Sequence, residues 1–467
     1  LEDEKMDDGL VLFRGSLSEL LEKVDTLQLS HELPLSHETP CKFWTAYWTI
    51  CGIENSIPLV HGPAGCASSA KDLRYFNAEY CGCPYEITAT TDINEQMVIF
   101  GAELPLRDAI LELDSTCHPS LISVLTTCSS GIIGDDVDAV VENVRDKIKS
   151  EIIVIKCEGF SGDFRSGYDE AYEALLSLVQ PTGKIMEGYA NIVGARRGPE
   201  PLASPGELTG LYDVYDGLGL KINAILSARC TVEQMRKAGD VQINLSWCTD
   251  LGLRLGEMME KRFGTPFAKY GMPYGLSSSI DFTREIGELL GCEKKAEKFI
   301  ETRVNEVAPS VKELKKLVEG KTAIVNMGPI RAIHLSRFLA EDLGMNVILH
   351  NVHPYQIKER KNVIKLLLDY GIDPQIVITR SAFAFGEMES MLTEQQDLQE
   401  LVKEEPRDVI YFGSSYQFPG VPLVNVDNQE SFPHVGFLGV KRMYGYIKTA
   451  LRTFERPRSQ LYWRVLH

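Results

Sequence analysis

"LTTCSSGIIGDD", residues 125–136, places a cysteine where an apolar run gives out and a helix is about to begin. The run before it, LISVLTT (121–127), is β-branched and largely apolar, as a strand covered on both faces must be. Gly131 and Gly134 permit a tight turn, and Ser129 or Ser130 can cap the helix read from GDDVDAVVENVRDKIKS (134–150). The same pattern recurs at IPLVH (57–61), with Cys66 closing the loop, and at EIIVIK (151–156), which Cys157 ends. Further strands are expected at IVNM (324–327), NVILHNV (346–352), QIVIT (375–379) and DVIYFG (408–413). A helix is expected over IRAIHLSRFLAEDLG (330–344). Apolar strands alternating with amphipathic helices specify an α/β fold built on parallel sheets. The pattern restarts more than once, and 467 residues accommodate roughly three domains.

Three Rossmann-like, doubly wound units are therefore expected, divided as an N-terminal extension (1–40) and domains over 41–200, 201–320 and 321–467. The glycine- and proline-rich stretch GARRGPEPLASPGELTG (194–210) marks one boundary, and LVEGKT (317–322) lies near the next. The formal net charge of −18 argues against nucleic acid as a partner, because that footprint needs clustered lysine and arginine. No stretch approaches the roughly 20 apolar residues of a membrane span. The acidic start LEDEKMDDGL reads as neither a signal nor a transit peptide, so the expected location is the cytoplasm.

Ligands of open parallel sheets bind beyond the carboxyl ends of the strands, which is where Cys66, Cys128 and Cys157 fall. Helix-start amides there favour negative charge, whether thiolate or sulfide. The 11 cysteines are odd in number and scattered, unlike the disulfide framework of a small secreted domain. That leaves packing, redox chemistry and metal ligation. No CxxC…CxxC pair supports a zinc ribbon, and CGC (81–83) is a lone close pair. No Walker sequence is present, so ATP hydrolysis by this chain is not expected. Thiolates drawn from separate strand ends suit an iron–sulfur cluster, whose ligand spacing varies. A cluster shared between subunits would need only three of them from this chain.

TPCKFWTAYWTICGIENSIPLVHGPAGC (39–66), TTDINEQMVIFGAE (90–103), TTCSSGIIGDDVDAV (126–140) and KCEGFSG (156–162) together resemble successive signatures of the nitrogenase component 1 family. INLSWCTDLGLRLGEMMEKRFGTPF (243–267) resembles the segment that carries the cofactor cysteine of its α (D-type) subunits. The resemblance implies that Cys41, Cys66 and Cys128 bind a P-cluster-type 8Fe-7S (or 4Fe-4S) cluster bridging two subunits. It implies that Cys248 is the thiolate ligand of a nitrogenase-type 8Fe-9S-C active-site cluster, its heterometal unspecified. His434, in FPHVGFLGV (432–440), becomes the imidazole ligand, although aligning GFLG with the family's Gly-Phe-x-Gly puts Val435 at that position. The implied partners are a homologous β (K-type) subunit in an α2β2 complex and an ATP-hydrolysing iron-protein reductase.

Departures from the family pattern narrow the reading. In α subunits a glutamine and then a histidine follow the EGF turn; here those positions hold Arg165 and Asp169. The lysine that helps hold homocitrate has no clear counterpart near SSYQFPGVPLVN (414–425). Cys128 and Cys157 are 29 residues apart, as in the α type, but the 25-residue step from Cys41 to Cys66 is closer to the β type. Such a mixture implies a nitrogenase-like relative. Arg74, Arg165, Asp169 and His334 are the candidates around the active-site cluster, and Cys157 lies beside the bridging cluster. Cys51, Cys81, Cys83, Cys117, Cys230 and Cys292 are read as structural. The related tetrapyrrole reductases do not require a ligand like Cys248 and are disfavoured.

Two classes of function remain. One is the catalytic subunit of a methylthio-alkane reductase, cleaving C–S bonds of small volatile organic sulfur substrates to methanethiol and hydrocarbon. The other is a non-catalytic scaffold for nitrogenase cofactor assembly. The scaffold class usually lacks the histidine, so His434 favours the enzyme; a true dinitrogen-reducing α subunit is a further alternative.

Overall fold

The structure is a computed structural model that describes residues 11–24, 41–70, 87–197, 201–202, 205–350, 357, 360–379, 387–404, 408–413, 421–426 and 434–454. It is an α/β fold organised around three parallel sheets. The first runs β3-β2-β4-β5, from β2 (Ser56–His61), β3 (Ala89–Thr90), β4 (Leu121–Thr126) and β5 (Glu151–Ile155). Residues of β2 and β4 are buried throughout, as their near-continuous apolar runs require. Helices such as Glu103–Cys117 and Val137–Arg145 cover one side of this sheet with Leu106, Ile110, Val140 and Val144.

The second sheet runs β11-β10-β6-β9, from β6 (Met186–Val193), β9 (Lys221–Ile225), β10 (Val241–Ser246) and β11 (Phe267–Ala268); β7 (Arg196–Arg197) and β8 (Pro201–Leu202) form a separate antiparallel ladder. β5 closes the first sheet at Ile155 and β6 opens the second at Met186, so sheet membership changes ahead of the 194–210 stretch. The turn between them is held by the buried Asp240 carboxylate, which accepts the backbone N–H of Thr182 and Gly183. None of the strands β6, β9 and β10 was expected from apolar runs, because each carries an asparagine in its middle. Asn191 Nδ2 donates to Asn244 Oδ1 at 2.9 Å, and Asn223 Nδ2 donates to Asn191 Oδ1 at 2.9 Å. A polar rung linked by amide hydrogen bonds across three strands sits inside the core and erases the apolar signal.

The third sheet runs β1-β14-β13-β12-β15-β16, from β12 (Thr322–Asn326), β13 (Asn346–His350), β14 (Gln375–Thr379), β15 (Val409–Gly413) and β16 (Leu423–Asn425). All pair in parallel except β1 (Val11–Ser16), which adds as an antiparallel edge to β14. Part of the expected N-terminal extension is thus a strand of the sheet formed by the far end of the chain. Ser16 and Glu19 close a capping box after β1, and Ser18 binds Asp373 through both backbone N–H and hydroxyl. The helix expected over 330–344 is α-helical across Pro329–Arg337 and π-helical across Phe338–Asp342.

At the end of β13, His350 is buried with its Nε2 3.1 Å from the Thr379 hydroxyl. Burial pulls its pKa down to about 4 against the opposing charge of Asp397. The unfolded chain therefore binds a proton that the folded chain refuses, and stability falls as pH drops from 6.5 towards 4. The share owed to this ring is on the order of 3 kcal/mol. Thermal midpoints measured across that range should fall less steeply for His350→Gln than for the parent. Equal slopes would remove His350 from the account.

Candidate metal-cluster sites

The first site gathers three cysteines at the carboxyl ends of the first sheet. Cys41 is the N-cap of the helix Lys42–Ile50, and Cys128 opens the helix Cys128–Ile133 directly after β4. Thr127 and Ser130 make the reciprocal cap there, which leaves the Cys128 side chain at the surface. Gly159, in the turn after β5, lies between two of the thiols: a Cβ on it would sit 3.3 Å from Cys128 Sγ and 3.9 Å from Cys41 Sγ. Burial, then the charges of Cys41 and Cys128, push the Cys66 thiol upwards, so all three share one electrostatic environment.

The loops that bear them are tied together by His61, the last residue of β2. Its carbonyl accepts the Thr127 hydroxyl at 3.0 Å, and its ring lies between Asp135 at 3.0 Å and Thr91 at 3.1 Å. Cys157 is fully buried and its Sγ donates to the Thr126 carbonyl at 3.2 Å. Burial drives that thiol well upwards, so Cys157 is a hydrogen-bonded thiol behind the site. Around the three thiols the surface is apolar: Phe100 is 85% exposed, Ile132 75% and Phe160 63%. Exposed apolar side chains grouped in this way mark an interaction face.

Among the described residues, no three His, Cys, Asp or Glu side chains converge as a single metal ion requires. Cys41, Cys66 and Cys128 would suit a polynuclear group spanning them, with the glycine-lined turn at 159 leaving room for it.

The second site lies inside the molecule. Cys248 follows β10 as the N-cap of the helix Thr249–Phe263, 5% exposed and making no capping bond with its side chain. Burial, then Asp250, push its thiol up to about 11. A thiol so placed becomes a thiolate when metal binding replaces its proton. The Trp247 carbonyl accepts the Met272 N–H at 3.1 Å, and the Pro273 carbonyl accepts the Gly436 N–H at 2.9 Å. These two bonds layer the His434 loop against the Cys248 turn through the 271–274 segment.

His434 is fully buried, with neither ring nitrogen hydrogen-bonded. Its ring stacks on Tyr446 at 5.4 Å. Burial, then Arg331 and Arg442, pull its pKa down to about 4, so it is a neutral imidazole. Arg331, held to the Tyr274 hydroxyl at 3.1 Å, exerts its charge on both Cys248 and His434. A buried soft thiol and an imidazole with two unmet nitrogens, flanking one arginine, are the donor set that an anionic iron–sulfur group accepts. Val435, the alternative position, carries no donor and packs in the core.

The other expected site residues are distributed differently. His334 is brought next to Cys248: its Nε2 is 3.0 Å from the Thr249 hydroxyl, and Tyr270 meets its ring edge-on at 5.1 Å. Burial pulls its pKa down to about 3, so it too is neutral. Arg165 turns to Asp250, its Nη2 2.5 Å from Oδ1, while Arg360 Nε lies 2.8 Å from Oδ2. Burial pushes the Asp250 carboxyl up, but the two guanidiniums outweigh it and hold it at about 2. Asp169 faces Arg254 at 3.5 Å near the surface, and burial raises its carboxyl despite that partner. Arg74, Cys81 and Cys83 lie outside the described residues. Sequence reasoning missed Asp250, Arg331 and Arg360. Asp250 had a signal, an acid in the first turn after a candidate ligand; Arg360 sits in the charged run KERK (358–361) and reads as solvated.

The sequence profile of the nitrogenase component 1 type oxidoreductase family matches residues 41–452, which take in both sites and every strand of the three sheets except the edge strand β1. The chain belongs to that family. Among its relatives is the nitrogenase iron-molybdenum cofactor biosynthesis protein NifE of Clostridium pasteurianum, 30% identical over 335 residues, covering 70% of each chain. The NifE of Methanococcus maripaludis strain S2 is 25% identical over 425 residues, 88% of this chain and 83% of that one. The nitrogenase molybdenum-iron protein alpha chain of Methanothermobacter marburgensis is 24% identical over 436 residues, 86% of this chain and 85% of that one. A solved structure described as nitrogenase Cp1 at pH 6.5 superposes with a TM-score of 0.65 over 92% of both chains, at 19% identity. That likeness establishes the nitrogenase fold for this component 1 chain. Among its described residues no helix is long and apolar enough to cross a membrane.

Proposed function

We propose that this component 1 chain holds two iron–sulfur groups and serves as a scaffold on which a nitrogenase-type cofactor is held during assembly. Cys41, Cys66 and Cys128 would hold a bridging cluster shared with a homologous β-type subunit, which the apolar face around Phe100, Ile132 and Phe160 would meet. Cys248 and His434 would hold the internal cluster. Such groups supply low-potential electron storage; the chain supplies thiolate and imidazole donors, burial and the Arg331 charge. One observation carries the scaffold reading: the side chains expected to serve a substrate are already engaged. Arg165 is bound to Asp250, and His334 is a deeply neutral ring on Thr249, ill-suited to give up a proton. That several relatives are named as cofactor biosynthesis proteins agrees with it.

The second reading, a reductase that cleaves methylthio-alkanes, is favoured by His434, because a buried imidazole with unmet nitrogens gives the cluster a second fixed end. Anaerobic incubation of the chain with its partner subunit, an iron protein and ATP separates the two. A methylthio-alcohol or dimethyl sulfide would be supplied under dinitrogen, and hydrocarbon, methanethiol and ammonia quantified together. The scaffold reading expects none of them, with iron instead moving to a cluster-free component 1 acceptor. Hydrocarbon with thiol would establish the C–S reductase, and ammonia a dinitrogen-reducing subunit.

A further inference from the structure

Asp250 stands in the first turn of the helix that begins after Cys248, and its two oxygens are taken by two arginines from distant parts of the chain. Arg165 comes from the helix Phe164–Leu176, which follows the first sheet's β5. Arg360 caps the helix Lys361–Asp369, which lies between the third sheet's β13 and β14. Asp250 itself follows β10 of the second sheet. One carboxylate therefore pins all three sheet units together, two residues from the candidate cluster thiolate. The side chains are 26%, 9% and 11% exposed for Arg165, Asp250 and Arg360, so the group is shielded from salt and solvent.

Outside the group lies a cavity of 290 Å3 lined by Arg165, Asp250, Arg360, Asp169, Arg254 and Tyr172. Tyr172 donates to the Leu251 carbonyl at 3.5 Å and is close enough for its hydroxyl to feel the charge of Cys248. Asp250 and Leu251 of the lining belong to the same helix start as Cys248, so the cavity lies against the turn that bears the buried thiol. A shared carboxylate is a discrete lock: losing it removes both ion pairs at once, whereas losing one arginine leaves the other pair.

We propose that the Arg165–Asp250–Arg360 group is a clasp that controls access from this cavity to the Cys248 thiol. The clasp rests on the reading of Cys248 as a cluster ligand, but its test needs no cluster. The metal-free, full-length chain is alkylated with iodoacetamide, and the rate at Cys248 is followed by mass spectrometry of its peptide. Cys51 and Cys230, equally buried elsewhere, serve as internal references. Asp250→Asn is expected to raise the Cys248 rate about tenfold or more while both references stay unchanged. Arg360→Gln is expected to raise it by a smaller factor; it retains the Arg165–Asp250 pair and is the milder variant should Asp250→Asn fold poorly. Arg303→Gln cuts a largely buried pair with Asp213, neither of which lines the cavity, and should leave Cys248 unaffected. An unchanged Cys248 rate in both clasp variants overturns the proposal. So does an equal rise at Cys51 and Cys230, which would make the group a general stabiliser.

Discussion

If the three thiols at the carboxyl ends of the first sheet hold the proposed bridging cluster, Cys128→Ala is expected to remove its iron, weaken assembly with the partner subunit, and leave the internal site loaded. Cys128 opens a helix whose cap is made by Thr127 and Ser130, so deleting the thiol costs no capping bond and the fold should survive. What disappears is one of three donors grouped about Gly159. Losing a thiolate ligand should lower iron retention at that site by more than about tenfold, beyond the effect of losing an outer-shell partner. Iron per chain, with size-exclusion chromatography of the purified complex, reads both consequences. A variant with the parent's iron content and assembly state would exclude Cys128 from the site.

Gly194→Ala should act on the other site, by backbone geometry rather than donor chemistry. Gly194 directly follows β6 with φ +84°, a conformation costing a side chain about 1–2 kcal/mol. Its added Cβ would also lie 2.6 Å from Gly252 Cα and 2.9 Å from the Cys248 carbonyl oxygen, both backbone atoms that cannot swing aside. The helix start bearing Cys248 must then shift or the strand must part from it. A destabilisation of about 3 kcal/mol or more follows. The measurement is the unfolding midpoint together with iron at each site: the internal group should be lost while the bridging one persists. An unshifted midpoint would mean that the turn has slack the structure does not show.

The parts of this fold legible in the sequence are those built from uninterrupted apolar strands. LISVLT and IPLVH announce the first sheet, and QIVIT and VIYFG the third, because a strand covered on both faces is made mostly of apolar residues. The second sheet departs from that pattern through Asn191, Asn223 and Asn244, whose amides hydrogen-bond across three strands, a linkage that no local run of sequence shows. β1 was illegible for a related reason: six residues become a strand only because β14, more than three hundred residues later, offers an open edge. The cysteines were legible by position, at strand ends where a parallel sheet exposes its binding crevice. Their surroundings were not. Arg165 reads as a candidate beside the active-site cluster until Asp250 is folded against it, and a pairing of one carboxylate with arginines 85 and 110 residues away has no local signature.

The central claim is that Cys248 holds an iron–sulfur group inside the chain, separate from the one at Cys41, Cys66 and Cys128. Parent and Cys248→Ala complexes, purified anaerobically with the partner subunit, should be compared by iron content and low-temperature electron paramagnetic resonance. The variant should lose the iron and the signal of one group while those of the bridging group remain. Equal iron and an unchanged spectrum in the two proteins would contradict it.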